Sequence, residues 1–253
     1  MTLMNIDFLG CNGGIGGSAA ANSGSTCIQV SERILIDAGT GLALLNLEQM
    51  KKIRHVFLTH AHLDHVCCLP IFLANIIGHN HDGPITIHAN KVTIEALKQH
   101  IFNHLLWPDF TNLPAHEPQL IQWNTLISRQ VVEIDGITIT AFDTSHSVAT
   151  LGYAVRKAGV HTVFAADTTL TAALIGELNQ FQQVDHLILE CSFASTDEAL
   201  AKRTGHLTPA LIKQLLAQLT QPPQQLWLTH LKPRYVTAIE AELEPTWALV
   251  HRP

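Results

Sequence analysis

Three imidazoles and a carboxylate fall within the six residues His60-Ala61-His62-Leu63-Asp64-His65, directly after the apolar run His55-Val56-Phe57-Leu58. A strand ending at Thr59 would deliver these side chains on a sharp turn at the carboxyl edge of a sheet, so the pattern constrains fold and chemistry together. His60 and His62 can share one ion, while Asp64 and His65, at the start of the following segment, face a second. Neutral imidazole nitrogen and carboxylate oxygen suit zinc first, with manganese or iron as alternatives. A histidine-rich surface turn is the competing interpretation of the same string.

The remainder of the chain has the composition of a globular protein. It has 253 residues, 47% of them hydrophobic and 14% charged, enough for one large core or two small ones. The formal net charge of −6 argues against a tightly held polyanion such as tRNA, because such binding rests on clustered lysine and arginine. Bound metals could still supply local positive charge for a small anion. Five cysteines, with Cys67 and Cys68 adjacent, show no disulfide spacing and point to a reducing compartment. The opening Met1–Phe8 stretch has neither signal-peptide nor membrane-span character, so a cytoplasmic protein without membrane association is expected.

Apolar and β-branched runs predict strands over Leu3–Leu9, Cys27–Val30, Ile34–Asp37, Val56–Thr59 and Ile85–His88. A second series follows over Val131–Ile134, Ile137–Phe142, Gly152–Arg156, Thr162–Ala165, His186–Glu190 and Leu226–Thr229. Ile94, Leu97, Ile101 and Leu105 would share one helix face, and Leu211, Leu215 and Leu219 another, the latter helix opening on Thr208 and Pro209. Ser195 and Glu198 have the spacing of a capping box, with Gly205 as the carboxyl-terminal cap. Pro70 should split or kink the apolar segment after the histidine cluster. No linker divides residues 1–253, and two βα series of similar size predict one α/β domain: a four-layer αββα sandwich of two mixed sheets flanked by helices.

Four donors cannot fill two metal shells, so further ligands should come from strand ends. His146 follows Ile137–Phe142, Asp167 follows the run Thr162–Ala166, and His230 follows Leu226–Thr229. These are the positions at which α/β sheets present their active-site loops, and a carboxylate at Asp167 could bridge two cations. Glu190, closing the strand from His186, and His206, two residues before Thr208, suit proton transfer. The adjoining helix amino terminus could seat a phosphoryl group and depress the His206 pKa, and Glu190 would push it back up. The glycine-rich stretch Gly10–Gly17 lacks the ending of a phosphate-binding loop and reads as a tight turn near the site. Trp107, Phe110 and Trp123 could offer a stacking face for a nucleobase, with simple packing as the alternative.

With those residues in place, the HxHxDH string and the later His, Asp and His resemble the metallo-β-lactamase superfamily. Within it the chain most resembles the class II 3′,5′-cyclic-nucleotide phosphodiesterases. The likeness rests on Leu9–Gly17, Leu35–Gly41, Thr59–Val66, Trp107-Pro108-Asp109-Phe110, Glu190-Cys191-Ser192-Phe193, Gly205-His206-Leu207-Thr208-Pro209 and Thr229-His230-Leu231-Lys232-Pro233. Cys67-Cys68 departs from the small residues that the family tends to carry there.

The resemblance implies a binuclear hydrolase that releases a 5′-nucleotide from a 3′,5′-cyclic nucleotide, cyclic AMP in the first instance. His60, His62 and His146 would hold one divalent cation and Asp64, His65 and His230 the other, with Asp167 bridging. Such cations, roughly 3.5–4 Å apart, would hold and acidify an attacking water. Asp64, His206 and Glu190 would form the catalytic set, with Trp107 and Phe110 binding substrate. A small-molecule substrate is expected rather than a stable nucleic-acid complex, and homodimers occur among related proteins. The nearest rival is tRNase Z, whose Glu, His and Arg-Tyr pattern is echoed by Glu190, His206 and Arg234-Tyr235. That family carries a long basic arm after the region of His146, whereas here only 20 residues lie between His146 and Asp167. A non-catalytic metal or nucleotide sensor is a third reading, disfavoured by the full set of donors.

Overall fold

The computed structural model describes residues 6–15, 23–79, 83–111 and 119–250. The chain packs as two compact units, one made of Ile6–Gly10 and Gly24–Leu126, the other of the described parts of Cys11–Ser23 and Ile127–Pro253.

The first unit carries a six-stranded mixed sheet in the order β1-β2-β3-β4-β5-β6. Its strands are β1 (Asp7–Asn12), β2 (Ser23–Ser31), β3 (Ile34–Ile36), β4 (His55–Phe57), β5 (Ile85–Ala89) and β6 (Ile121–Thr125). β2 and β3 pair antiparallel, and β3 to β6 run parallel. Every residue of β3 and of β5 is buried, the signature of parallel strands covered on both faces. Helices α1 (Leu47–Met50), α2 (Leu63–Val66), α3 (Leu69–Asn75) and α4 (Lys91–His100) accompany this sheet, and Leu35, Val56, Leu69, Phe72, Ile87 and Leu97 belong to its core.

One sequence expectation holds in this unit and another is adjusted. Pro70 does divide the apolar segment, since α2 and α3 are separate pieces with the proline in the first turn of the second. The helix expected to reach Leu105 stops at His100, and Leu105 is 92% exposed. His104 takes a left-handed backbone conformation (φ 62°), which no α-helix can continue through.

The second unit carries a seven-stranded mixed sheet in the order β13-β12-β11-β10-β9-β8-β7. Its strands are β7 (Val131–Ile134), β8 (Ile137–Asp143), β9 (Leu151–Lys157), β10 (Val160–Phe164), β11 (His186–Glu190), β12 (Gln225–Thr229) and β13 (Trp247–Leu249). β7 to β10 form an antiparallel meander, and β10 to β13 are parallel. Two reversals bring β10 back to the direction of β8, so β8, β10, β11 and β12 all present their carboxyl ends at one edge of the sheet.

Helices α5 (Ala172–Leu178), α6 (Glu198–Thr204), α7 (Pro209–Leu216) and α8 (Val236–Glu240) complete this unit. α7 opens as expected, with Thr208 accepting from the Leu211 N–H and Pro209 in the first turn. Gly205 closes α6 in the left-handed region at φ 77°. The capping box at Ser195 does not form. That residue lies in a 3-10 turn, and its hydroxyl accepts from the Ala210 N–H at 3.0 Å. No helix among the described residues is long and apolar enough to cross a membrane.

Candidate metal centre

In the first unit, β4 leads through Leu58 and Thr59 into His60, and the next turn carries the other donors. His62 is the N-cap of α2, with Asp64 and His65 inside that helix. The organising group is a residue that sequence reasoning did not single out, Asp37, which directly follows β3 with a left-handed φ of 59°. Its carboxylate accepts from the Thr59 N–H at 2.8 Å, from the Thr59 hydroxyl at 2.9 Å and from His65 Nδ1 at 2.7 Å. The single hydroxyl proton of Thr59 goes to Asp37, so its oxygen accepts from His60 Nδ1, 3.0 Å away.

One buried carboxylate therefore sets two tautomers, directly at His65 and through Thr59 at His60. In both rings Nε2 becomes the lone-pair nitrogen that a metal requires. All four residues are fully buried. Burial raises the Asp37 pKa, opposed by the His65 and Thr59 contacts. The His60 ring lies 4.5 Å from that of His62 and 4.2 Å from that of His65, and Asp64 Oδ2 is 3.9 Å from His65 Nε2.

In the second unit the donors come from separate strand ends. His146 follows β8, and its Nδ1 donates to the Gly205 carbonyl at 2.8 Å. His230 follows β12 with φ 58°, its N–H bonded to the Cys11 carbonyl at 2.6 Å. His230 Nδ1 meets the Ser192 hydroxyl at 3.0 Å, and that hydroxyl in turn donates to the His230 carbonyl at 3.2 Å. Asp167 follows β10 after Ala166, which is also left-handed at φ 52°. It turns Oδ1 toward His230 Nε2 at 3.4 Å and Oδ2 toward His146 Nε2 at 3.8 Å.

Those separations suit ligands better than hydrogen bonds. Two ligand atoms about 2.1 Å from one tetrahedral ion sit roughly 3.4 Å apart. With Nδ1 tied in each ring and one Asp167 oxygen facing each Nε2, the donor set fits a divalent cation. Burial lowers the His146 pKa, against the pull of Asp167 and Gly205, which favours the neutral imidazole that a metal needs.

Two glycines hold this arrangement. A Cβ on Gly205 would lie 2.9 Å from His146 Nδ1, and one on Gly13 would lie 2.6 Å from the His230 carbonyl oxygen. Gly13 thus gives part of the glycine-rich stretch a packing role, while Gly16 and Gly17 lie outside the described residues.

Glu190 and His206 meet as expected, with Nδ1 2.7 Å from Oε1. Glu190 is fully buried and also accepts from the Thr168 N–H at 3.2 Å and the Ser192 N–H at 3.0 Å. Burial by itself would lower the His206 pKa, yet the charge and hydrogen bond of Glu190 and the charge of Asp167 raise it overall, with Lys232 opposing. Asp167, His206 and His230 each bring a donor atom within 4.8 Å of the others. The helix amino terminus beside His206 does not have the anion-binding form expected of it. Thr208 and Ser195 take the Leu211 and Ala210 N–H groups, and Thr208 and Leu211 are fully buried.

The stacking face is revised too. Phe110 is 3% exposed and packs against Phe102 in the core of the first unit, so its ring has no face to offer a base. Trp107 and Trp123 are half-buried against the same core, and Trp123 also meets Phe102 edge-on and lies under Lys98. Asp37 and Ser192 are the functional residues that sequence reasoning missed. Asp37 closes an apolar strand just as Asp167 does, a signal present in the chain. Ser192 carries no comparable local mark.

Residues 32–231 match the model of the Beta-lactamase superfamily domain. Ribonuclease Z of Pyrococcus abyssi is 29% identical over 160 residues, 61% of this chain and 48% of that protein. A probable 3′,5′-cyclic-nucleotide phosphodiesterase of Yersinia pestis is 29% identical over 212 residues, 73% of this chain and 59% of that protein. The chain therefore spans about half to three-fifths of the length of these relatives. Among solved structures, unliganded yeast PDE1 superposes with a TM-score of 0.75 at 19% identity, covering 94% of this chain and 92% of its own. The short form of human tRNase Z gives a TM-score of 0.66 at 20% identity, covering 97% and 96%. At these identities the structural likeness is one of fold.

Proposed function

This chain belongs to the metallo-β-lactamase superfamily, and we propose that it is a metal-dependent phosphodiesterase that opens 3′,5′-cyclic nucleotides, cyclic AMP foremost, to 5′-nucleotides. The observation that carries the choice of substrate is the connection between His146 and Asp167. β9 passes to β10 through the two-residue turn Ala158-Gly159, with φ of 49° and 79°. A plain hairpin at this position offers no basic arm for tRNA, and a net charge of −6 disfavours a polyanion. A substrate with a single charged phosphodiester fits these properties better than a polyanion.

In this reading His60, His62 and His146 would hold one cation and Asp64, His65 and His230 a second, with Asp167 contributing to both sets. Two bound divalent cations supply acidity to water and positive charge to the phosphoryl oxygens. The chain's own contribution is orientation and proton supply. Asp37, Thr59, Gly205 and Ser192 fix the ring orientations of the histidines. His206, with Nδ1 engaged by Glu190, carries a proton on Nε2 and gives it to the 3′ oxygen as the P–O bond breaks. A positioned acid of this kind contributes roughly 10²–10⁴-fold.

The ribonuclease Z reading competes because the identities are equal at 29%. A panel of cyclic AMP, cyclic GMP, bis(p-nitrophenyl) phosphate and precursor tRNA, run on zinc- and manganese-loaded protein, separates the two. Release of 5′-AMP is expected. His62→Ala should abolish it without lowering the melting temperature, and His206→Gln should cut kcat by about 10²–10⁴-fold with metal content retained. Preference for precursor tRNA, or no turnover by metal-loaded parent protein, would overturn the proposal.

A further inference from the structure

The second unit contains a lysine that the reading above leaves without a task. Lys232 lies two residues beyond His230, and its Nζ sits 5.6 Å from the centroid of the Phe193 ring. Phe193 is 5% exposed and wedged between His206 and Tyr235, with ring centroids 5.6 Å and 5.2 Å away. The backbone around this lysine is constrained from both sides. Pro233 holds Lys232 in extended geometry (φ −74°, ψ 131°), and the Gly13 N–H binds the Leu231 carbonyl at 3.1 Å.

Lysines 51, 52, 91, 202 and 213 each pair with a glutamate. Among the described residues, no ion pair joins Lys232 to a carboxylate. A cation pinned over an aromatic ring has lost part of its side-chain freedom before any ligand arrives, so less entropy opposes contact with an anion. The same ring touches the imidazole placed to protonate the leaving oxygen.

We infer that Lys232 is a substrate-binding residue for the phosphoryl group, its ammonium engaging a charged non-bridging oxygen while His206 serves the departing one. The ligand class is an organic phosphate with at least one fully charged oxygen, and Phe193 is the prop that aims the lysine. This inference rests on the phosphodiesterase reading for its substrate, and the test is arranged so that the two can fail separately.

Lys232→Met keeps the apolar stem and removes the charge, Lys232→Arg keeps the charge, and Lys213→Met is a charge control at a lysine paired with Glu244. Steady-state kinetics with cyclic AMP and calorimetry with 5′-AMP, both on metal-loaded protein, supply the readouts. Loss of one charge-assisted hydrogen bond should raise KM and the 5′-AMP Kd about tenfold in Lys232→Met. The values should recover in Lys232→Arg and stay at the parental level in Lys213→Met, with kcat changing far less than KM.

Parental KM and Kd in Lys232→Met would overturn the inference. So would a loss confined to kcat, since that places the ammonium at bond breaking rather than binding. A melting temperature lowered in Lys232→Met together with weak binding in Lys232→Arg would assign the lysine to packing and also overturn it. If the parent turns over no phosphodiester, the functional reading falls, while the 5′-AMP affinities of parent and Lys232→Met still decide the role of Lys232.

Discussion

The two units arrive at the same ring geometry by opposite routes. In the first, the donors are neighbours in sequence and one buried side chain, Asp37, controls two of them. In the second, the donors lie at the ends of β8, β10 and β12, and each histidine has its own support: a backbone carbonyl for His146 and a hydroxyl for His230. Concentrated control is economical but exposes two ligands to one substitution. Distributed control confines damage to the ligand whose support is lost.

Substitutions at the three supports should separate these modes by the amount of metal retained after dialysis. Asp37→Ala should have the largest effect. It strands a buried hydroxyl, N–H and imidazole, costing at least about 2 kcal/mol in chemical denaturation and lowering metal affinity up to about 100-fold. Retention of parental affinity would show that His60 and His65 are oriented by something other than this carboxylate. Among the metal-site histidines Ser192→Ala should touch His230 alone, with a fall in affinity of about tenfold, although the same hydroxyl also lies 3.2 Å from His206 Nδ1. An effect as large as that of Asp37→Ala would erase the contrast between the units. Gly205→Ala keeps the carbonyl that supports His146 but sets a Cβ 2.9 Å from its Nδ1, so it should displace that ring alone and lower metal affinity by less than about tenfold. Its expected cost is about 1–2 kcal/mol of stability, from forcing a Cβ into the left-handed region, read as a lowered denaturation midpoint.

The same contrast explains what could be read from the chain before its coordinates. The six-residue cluster carries its geometry locally, since a strand end and a turn suffice to converge His60, His62, Asp64 and His65. The candidate donors of the second unit were reached only through the rule that sheets present chemistry at strand ends, and the strands were placed well where each was an unbroken apolar run. One of them, His186–Glu190, was reproduced residue for residue. β6 was missed because Ile121-Gln122-Trp123-Asn124-Thr125 mixes polar and apolar residues at a partly exposed position. β13 was missed because it has only three residues, all partly buried.

Where local pattern competed with tertiary contact, contact prevailed. Ser195 has the spacing of a capping residue yet serves the start of α7 instead. Phe110 has the look of a stacking platform and is consumed by the core. Asp37 was within reach of the reasoning that found Asp167, whereas Ser192 acquires its role only when β11 and β12 lie side by side.

The parallel placement of β8, β10, β11 and β12 has a consequence for how such a protein changes over time. His146, Asp167 and His230 each ride on a different connection and Glu190 ends its own strand, so lengthening or replacing one connection leaves the other anchors where they are. Selectivity can drift loop by loop while the hydrolytic apparatus is inherited intact. A lineage built this way should diversify in what it cleaves sooner than in how it cleaves, in keeping with relatives named for substrates as unlike as RNA and cyclic nucleotides.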